Sequence, residues 1–297
     1  MALAALSGDE QRILFTQLCN VLEPRLAVYL SSASNELWAP TQAQRQQLKA
    51  DHEAAAALCC KAGLRSCKEL REAKDVAWRH TGLSATDLAT LGTLGLVLPK
   101  LQQLYIFESA GAAGPDGVQR LATGLAVGAL PAVTMLSLGY LHMGDAGALA
   151  LAAALGRGAM PRLKSLHLIV TAIGDTGLVA LAPALRRLPA LEMLVFNGNP
   201  FGNEGLAALV APPSPTGVLP PRKGGLTKLK KLDLSETQVN DAGCAALASA
   251  LDSGALPAIE RIVLRGIPAK AVASSPVYKW LHLNCKKGKA RRGRKTQ

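Results

Sequence analysis

The sequence predicts an α/β solenoid in which a curved parallel sheet lies inside, helices lie outside and an all-α segment covers the first edge. Residues 229–251, LKKLDLSETQVNDAGCAALASAL, show the unit best because their two halves follow different hydrophobic periods. Leu232 and Leu234 alternate as in a short strand, whereas Leu247 and Leu251 lie on one face of a helix. One strand and one helix cannot bury their apolar faces alone, so the unit requires stacked copies.

Copies of this unit recur along most of the chain. Counted from Leu229, the marked positions lie at offsets 0, 3, 5, 8, 10, 14, 18 and 22, and the same spacing recurs elsewhere in full or degenerate form. The seven copies begin at Ala73, Leu101, Val133, Leu163, Leu191, Leu229 and Ile259. The first and last copies are degenerate, as expected for terminal repeats, because each has a neighbour on one side only.

The pattern LxxLxL, a turn and then GxxxLxxxL resembles the leucine-rich repeats of the ribonuclease-inhibitor type. IGDTGLVALAPAL at 173–185 and VNDAGCAALASAL at 239–251 are especially similar to that class and to the Ran GTPase-activating proteins that share it. The resemblance covers about residues 73–281 and implies a protein-binding solenoid or, as an alternative, a regulator of a small GTPase. No catalytic asparagine or arginine of that family maps onto this sequence. Of its usual turn residues at offset 8, only Asn199 is present as asparagine.

Breaks in the pattern divide the chain. Residues 1–72 are predicted to form a helical region and residues 73–281 the solenoid, which is interrupted at 211–225 by a Pro-rich insertion. Its five prolines and three glycines forbid a helix, and PPSP around Ser214 is either a ligand for a proline-binding domain or part of a structureless excursion. Residues 282–297 are predicted to be a basic, disordered tail.

The N-terminal region has two interpretations. Apolar residues at helical spacing predict several helices, one of which runs from Thr41 toward Ala62, and Ser66 with Glu69 marks the start of another. The stretch from 6 to 38 resembles an F-box, which implies docking onto the adaptor of a cullin ubiquitin ligase. The residues that would dock are Leu14, Phe15, Leu18, Leu22 and Pro24. The alternative is a helical cap that covers the first apolar edge of the solenoid.

The residues between the repeated leucines line what we call the concave face, which is the side of the sheet opposite the helices. From this alternation we predict a site for a protein partner. Its residues are Tyr105, Phe107, Glu108, Tyr140, His167, Ile169, Val195, Asn197, Asp233 and Arg265. The centre is apolar and the charges lie at both ends, which is typical of an interface. The alternative is that the N-terminal region or the Pro-rich insertion folds over this face.

The tail accounts for much of the basic character of the chain. The formal net charge is +12, and KKGKARRGRKTQ at the end contains seven basic residues and no acidic one. A nuclear-import signal would comprise Lys286, Lys287, Lys289, Arg291, Arg292, Arg294 and Lys295. Specific binding to nucleic acid is not expected, because no aromatic side chains lie between these charges to stack on bases.

Other functions find little support in the sequence. The five histidines are scattered, and no nucleophile motif or phosphate-binding loop is present, so we expect no enzymatic activity and no cofactor. Cys59, Cys60 and Cys67 with His52 lack zinc-site spacing, and unpaired thiols are the simpler interpretation. The start of the sequence does not resemble a secretory signal. We therefore expect an intracellular protein, cytoplasmic or nuclear, with no membrane span.

Overall fold

The computed structural model describes residues 7–32, 38–108, 113–211 and 226–268. Seven strands alternate with helices after a helical N-terminal region. The strands are β1 (Asp75–Arg79), β2 (Gln103–Phe107), β3 (Met135–Gly139), β4 (Ser165–Ile169), β5 (Met193–Val195), β6 (Lys231–Asp233) and β7 (Arg261–Val263). The described helices are α1 (Gly8–Leu18), α2 (Arg25–Ser32), α3 (Gln42–Lys61), α4 (Cys67–Glu72), α5 (Ala85–Leu94), α6 (Gly114–Gly124), α7 (Gly144–Gly156), α8 (Asp175–Arg187), α9 (Asn203–Val210) and α10 (Asp241–Asp252).

The strands form one parallel sheet in the order β1 to β7. The repeated apolar positions align in register across it, at Leu104, Leu136, Leu166, Leu194, Leu232 and Ile262. All six are buried against the helices, as the alternation predicts. The fold class predicted from the sequence, a parallel sheet alternating with helices in a solenoid, is confirmed.

A ladder of polar side chains ties neighbouring helices together at their N-termini. The Asp145 carboxylate accepts a hydrogen bond from Gly174 N at 2.7 Å, and the Asp175 carboxylate accepts from the N–H groups of Gly202 and Gly205 at 2.9 and 2.6 Å. Each acid thus satisfies N–H groups that the next helix leaves without an internal partner. These Asp residues occupy offset 12, which the apolar pattern does not mark.

The same ladder explains the repeated glycine at offset 14. A Cβ atom at Gly177 would lie 2.5 Å from Asp145 Oδ1, and a Cβ at Gly243 would also collide with the Asn203 side chain. At Gly177, Gly205 and Gly243 the glycine is therefore required because the polar side chain of the preceding repeat occupies the space that a side chain would fill, whereas at Gly147 the Met143 side chain occupies it.

Asn199 fastens the turns of two repeats. The side chain is buried, and its Oδ1 accepts hydrogen bonds from Thr171 N, Thr171 Oγ1 and Ile173 N at 2.9 to 3.2 Å. Its Nδ2 donates to Leu168 O at 2.7 Å and Phe196 O at 2.8 Å. One amide thus satisfies backbone groups that would otherwise be buried without a partner.

Two of the N-terminal helices, α3 and α4, contribute to the solenoid core. Trp78 on β1 is fully buried and donates a hydrogen bond from Nε1 to Leu58 O on α3 at 3.1 Å. Lys61 Nζ, at the end of α3, lies 2.6 Å from the Asp87 carboxylate on α5. Leu58 and Leu70 belong to the same hydrophobic cluster as the repeats. These contacts cover the outer edge of the first repeat.

Two N-terminal thiols, those of Cys59 and Cys67, are buried within this junction, whereas Cys60 is exposed. Cys59 Sγ lies 4.0 Å from Cys67 Sγ, and burial raises the pKa of the Cys59 thiol to about 12. In the part of the chain that the structure describes, no group of three or more His, Cys, Asp or Glu residues could hold a metal ion. Nor is any described helix long and apolar enough to cross a membrane.

Candidate partner-binding surface

An aromatic pair occupies the start of the concave face. Tyr105 and Phe107 point away from the helices on β2, and the Phe107 ring lies directly over Gly139 on β3. A Cβ atom at Gly139 would lie 2.5 Å from Phe107 Cδ1, so only glycine at this position leaves room for the ring. Ile169 on β4 pairs with Gly139 from the other side. The row from Phe107 to Ile169 therefore has no side chain of its own at Gly139, and the Phe107 ring occupies that space.

Two further interactions hold Tyr105 and Phe107 in place. The Arg79 guanidinium lies 5.8 Å from the Tyr105 ring centroid and 5.6 Å from that of Phe107, within the range of cation–π attraction. The Tyr105 hydroxyl donates to Gln103 and lies 3.0 Å from Met135 Sδ. The two rings are therefore ordered while one side of each remains accessible.

His167 lies at the centre of the concave face, on β4. Its Nε2 is 3.3 Å from Met193 Sδ on β5. Partial burial lowers the pKa of His167, and the positive charge of Lys231 lowers it further, whereas Asp233 opposes the shift. The imidazole is therefore neutral near pH 7, which makes the centre of the face uncharged.

The residues after the strands form a rim along the concave face. His80, Tyr140, Val170 and Glu236 all lie at offset 7 and adopt φ values between 51° and 59°. Gly198 and Gly266 occupy the same offset in other repeats, also at positive φ. A left-handed conformation is strained for a non-glycine residue, above all for a β-branched one. Tyr140 is 40% exposed, and Val170 lies against Gly198.

We call Tyr105, Phe107, Tyr140, Ile169 and Val170 the apolar cluster. Tyr140 is exposed and the other four are half-buried. The alternation places Tyr105, Phe107 and Ile169 on the accessible side of the sheet, as expected, whereas Tyr140 and Val170 follow their strands in left-handed turns. Missing from the prediction were Gln103, Met135 and Met193, which contact Tyr105 and His167. Extending the same alternation two residues toward the start of each strand would have found them.

Two residues predicted for this surface do not belong to its accessible part. Glu108 is only 1% exposed, and its carboxylate accepts hydrogen bonds from Thr81 N, Thr81 Oγ1 and Gly82 N at 2.9 to 3.1 Å. It fastens the turn of the preceding repeat, as Asn199 does elsewhere, because it follows the strand and no longer obeys the strand alternation. Val195 is only 8% exposed, so it contributes little accessible area.

The far end of the concave face is polar. Asp233 accepts hydrogen bonds from Ser235 N at 3.2 Å and Ser235 Oγ at 2.7 Å, and Lys231 Nζ lies 3.9 Å from its carboxylate. Asn197 Nδ2 donates to Ser235 O at 3.4 Å. Arg265 is exposed. The side chains of Asp233 and Asn197 are therefore engaged with their own sheet.

The predicted docking residues of the N-terminal region divide into two groups. Phe15 and Leu22 are buried in the helical core, which corrects their assignment to an adaptor surface. Phe15 packs with Ala27 and Leu48 between the helices. Leu14 is exposed and Pro24 is half-buried. The side chain of Leu18 lies outside the described residues.

Other predicted features also fall outside the described residues. These are the insertion from 212 to 225 and the tail, including Lys286, Lys287, Lys289, Arg291, Arg292, Arg294 and Lys295. The import signal and the PPSP ligand therefore stay predictions, as does a fold of the insertion over the concave face.

A family model described as a leucine-rich repeat matches residues 225–248. The aligned apolar residues of seven successive strands extend the same unit to both sides of that match. The fold is that of a leucine-rich repeat solenoid. No curated protein matches the chain in sequence.

Solved structures give distant similarities to the leucine-rich repeat chain. A protein from Bacteroides fragilis has a TM-score of 0.40 and 13% identity over 73% of this chain and 65% of its own. The complex of Rad7 and Elc1 from yeast gives a TM-score of 0.37 and 16% identity over 78% of this chain and 59% of the other. The chain thus spans less than two thirds of either structure.

Proposed function

We propose that this protein is a non-enzymatic scaffold that binds a partner protein on its concave face, centred on β2, β3 and β4. The observation that carries the proposal is the apolar cluster, which stays accessible where the repeat itself requires no large apolar side chain. Accessible apolar area bordered by polar residues is typical of interfaces, and an aromatic anchor there contributes about 2 kcal/mol or more to binding.

The fixed orientation of the aromatic side chains also supports binding. Phe107 rests over Gly139, and the Tyr105 hydroxyl is held by Gln103 and Met135. A side chain that is already fixed loses little conformational freedom when a partner covers it, so more of the contact energy appears as affinity. The Phe107 ring covers Gly139, so the apolar surface here is formed by the ring itself together with Ile169 on the next strand.

Alanine substitutions test this proposal. Tyr105→Ala and Tyr140→Ala, each in the full chain, should weaken binding of a purified partner by about tenfold or more while the free energy of unfolding changes little. Leu149→Ala is the matched control, because Leu149 is 60% exposed on α7 on the other side of the sheet. Equal losses of affinity and stability would mean that the tyrosines serve packing alone.

A second candidate is an F-box-like substrate receptor, in which the N-terminal helices dock a ligase adaptor. Exposed large apolar residues concentrate there, since six of the eleven found among the described residues precede the solenoid. They are Ile13, Leu14, Leu26, Val28, Tyr29 and Trp38. A surface of this kind on α1 and α2 favours a second partner.

The adaptor hypothesis requires substitutions on that surface. The double variant Leu26→Ser with Tyr29→Ser should abolish binding of the purified cullin-ligase adaptor and leave binding to the concave face unchanged. Deleting the N-terminal region is less suitable, because Trp78 and Asp87 depend on contacts with α3. No measurable adaptor binding by the unmodified chain would exclude this function.

A further inference from the structure

Arg79 is a charged residue at the edge of the apolar cluster. It is exposed at the end of β1, and its guanidinium lies beside the rings of Tyr105 and Phe107. Within the four described stretches of the chain, Arg79 forms no ion pair. A guanidinium that lies against aromatic rings has a restricted orientation. Its planar set of N–H donors can therefore form hydrogen bonds with a planar anion such as a carboxylate.

Nearby acidic groups do not neutralise this charge. The Glu108 carboxylate is buried and receives three hydrogen bonds from the turn at Thr81 and Gly82. Asp75 lies at the opposite end of β1, four residues from Arg79, which corresponds to about 13 Å along a strand. Asp87 is paired with Lys61 on the helix side. Arg79 is therefore an uncompensated positive charge at the edge of the apolar cluster.

From this juxtaposition we infer that the partner binds through an extended segment in which an acidic side chain pairs with Arg79 and an apolar side chain covers Phe107 and Ile169. This inference rests on the proposed function, since it specifies the chemistry of the ligand at the same surface. Arg–carboxylate pairs are frequently bidentate, and the rings beside Arg79 would shield such a pair, so the contact would select for a carboxylate in a defined position.

The strand spacing fixes the distance between the two anchors. Arg79 and Phe107 pair in register on neighbouring strands, and Phe107, Gly139 and Ile169 continue the same row. The row from β1 to β4 crosses three strand spacings, about 14 Å, which an extended chain spans with about four residues. The recognised sequence therefore has its acidic residue within about four positions of an aromatic or aliphatic residue.

A random peptide library displayed on phage and selected against the immobilised full chain tests this inference. Selected peptides should share an acidic residue at that distance from an apolar one. Replacing the acid by its amide should weaken binding to the unmodified protein by about tenfold, and by much less to Arg79→Gln, since the charge-assisted bond is then already absent. Arg261→Gln on β7 is the matched control, because Arg261 is also exposed but lies at the far edge of the sheet.

The possible results separate the inference from the proposed function. Peptides that require Tyr140 but show no preference for an acid, or depend on a free C-terminal carboxylate, would overturn the inference and leave the proposed function intact. Failure to select any peptide whose binding depends on Tyr140 or Phe107 would count against both. The inference and the proposed function would both be supported if replacing the peptide acid weakened binding to the unmodified protein and to Arg261→Gln but not to Arg79→Gln.

Discussion

The two halves of the concave face share one backbone and differ in what their side chains do. From β1 to β4 the face carries the apolar cluster and Arg79, and these side chains remain accessible. From β5 to β7, Asp233 and Asn197 form hydrogen bonds within the sheet, and Gly198 and Gly266 occupy the rim. The rim residues adopt the left-handed conformation in both halves, but only in the first half does the rim carry large apolar side chains, those of Tyr140 and Val170.

This difference separates residues that serve the repeat from residues that do not. Glycine at offset 7 satisfies the left-handed turn without strain, as Gly198 and Gly266 show. Tyr140 and Val170 adopt the same turn against their conformational preference, and neither contributes to the leucine core. Side chains kept at a local cost on an accessible surface are those on which a binding function would depend.

The largest effect is expected where the repeat depends on a single side chain. Asn199→Ala should lower the free energy of unfolding by about 3 to 5 kcal/mol, because it leaves several buried backbone groups without a partner. Urea-induced unfolding measures the change. Asn197→Ala, two residues away on the accessible side, is the control and should change stability by less than about 1 kcal/mol. Similar losses of stability in both variants would mean that the buried turn residue and its accessible neighbour do not differ in their contribution to the repeat.

Glu108 provides the second test, because the sequence assigns it to the surface and the structure to the turn. Glu108→Ala should lower the free energy of unfolding by about 2 kcal/mol, since Thr81 and Gly82 lose their shared acceptor. Glu108→Gln keeps one acceptor oxygen, so it should lower the free energy of unfolding by less than Glu108→Ala does. A loss of partner binding without a loss of stability would restore Glu108 to the interface.

The strain at the rim predicts a smaller effect of opposite sign. Val170→Asn should raise the free energy of unfolding by about 1 kcal/mol, because asparagine tolerates positive φ and a β-branched residue does not. Val179→Asn is the matched control on α8, where backbone φ is not positive, and no gain is expected there. If Val170→Asn destabilises the protein, contact with Gly198 outweighs the strain.

The smallest effect concerns pH. The pKa of His167 is lowered in the folded state, so the unfolded chain binds a proton there first as pH falls below about 6.5. Stability contributed by neutral His167 is therefore present above that pH and is lost as pH falls toward the folded-state pKa. Unfolding measured between pH 5 and pH 7.5 should show a shallower dependence for His167→Gln. If stability depends on pH in the same way in both proteins, His167 does not contribute to that dependence and the prediction is wrong.

The periodic part of the molecule could be predicted from sequence because its cause is local. Leu136, Leu166 and Leu194 repeat at fixed spacing, and stacking then determines both register and fold. The accessible position of Tyr105 follows from the same alternation, whereas Tyr140 comes after its strand and lies in a left-handed turn. No such rule covers Glu108, because its orientation depends on bonds to a different repeat.

Other features depended on contacts that sequence patterns do not encode. The Asp145 and Asp175 ladder crosses between repeats, so the apolar pattern of a single repeat does not reveal what these carboxylates bind. Phe15 resembles a docking residue in sequence, yet helix packing buries it against Leu48. The position of Arg79 beside Tyr105 and Phe107 follows from register between strands, which a linear sequence does not specify.

Hydroxyl-radical labelling of the free, full-length protein, read by mass spectrometry, tests the central claim most directly. Tyr140 should be labelled at a rate comparable to Tyr29, which is 67% exposed on α2, and should become protected when the partner is bound. Protection of Tyr140 and Tyr105 in the free chain would contradict the account, because it would mean that another part of the protein already covers the apolar cluster.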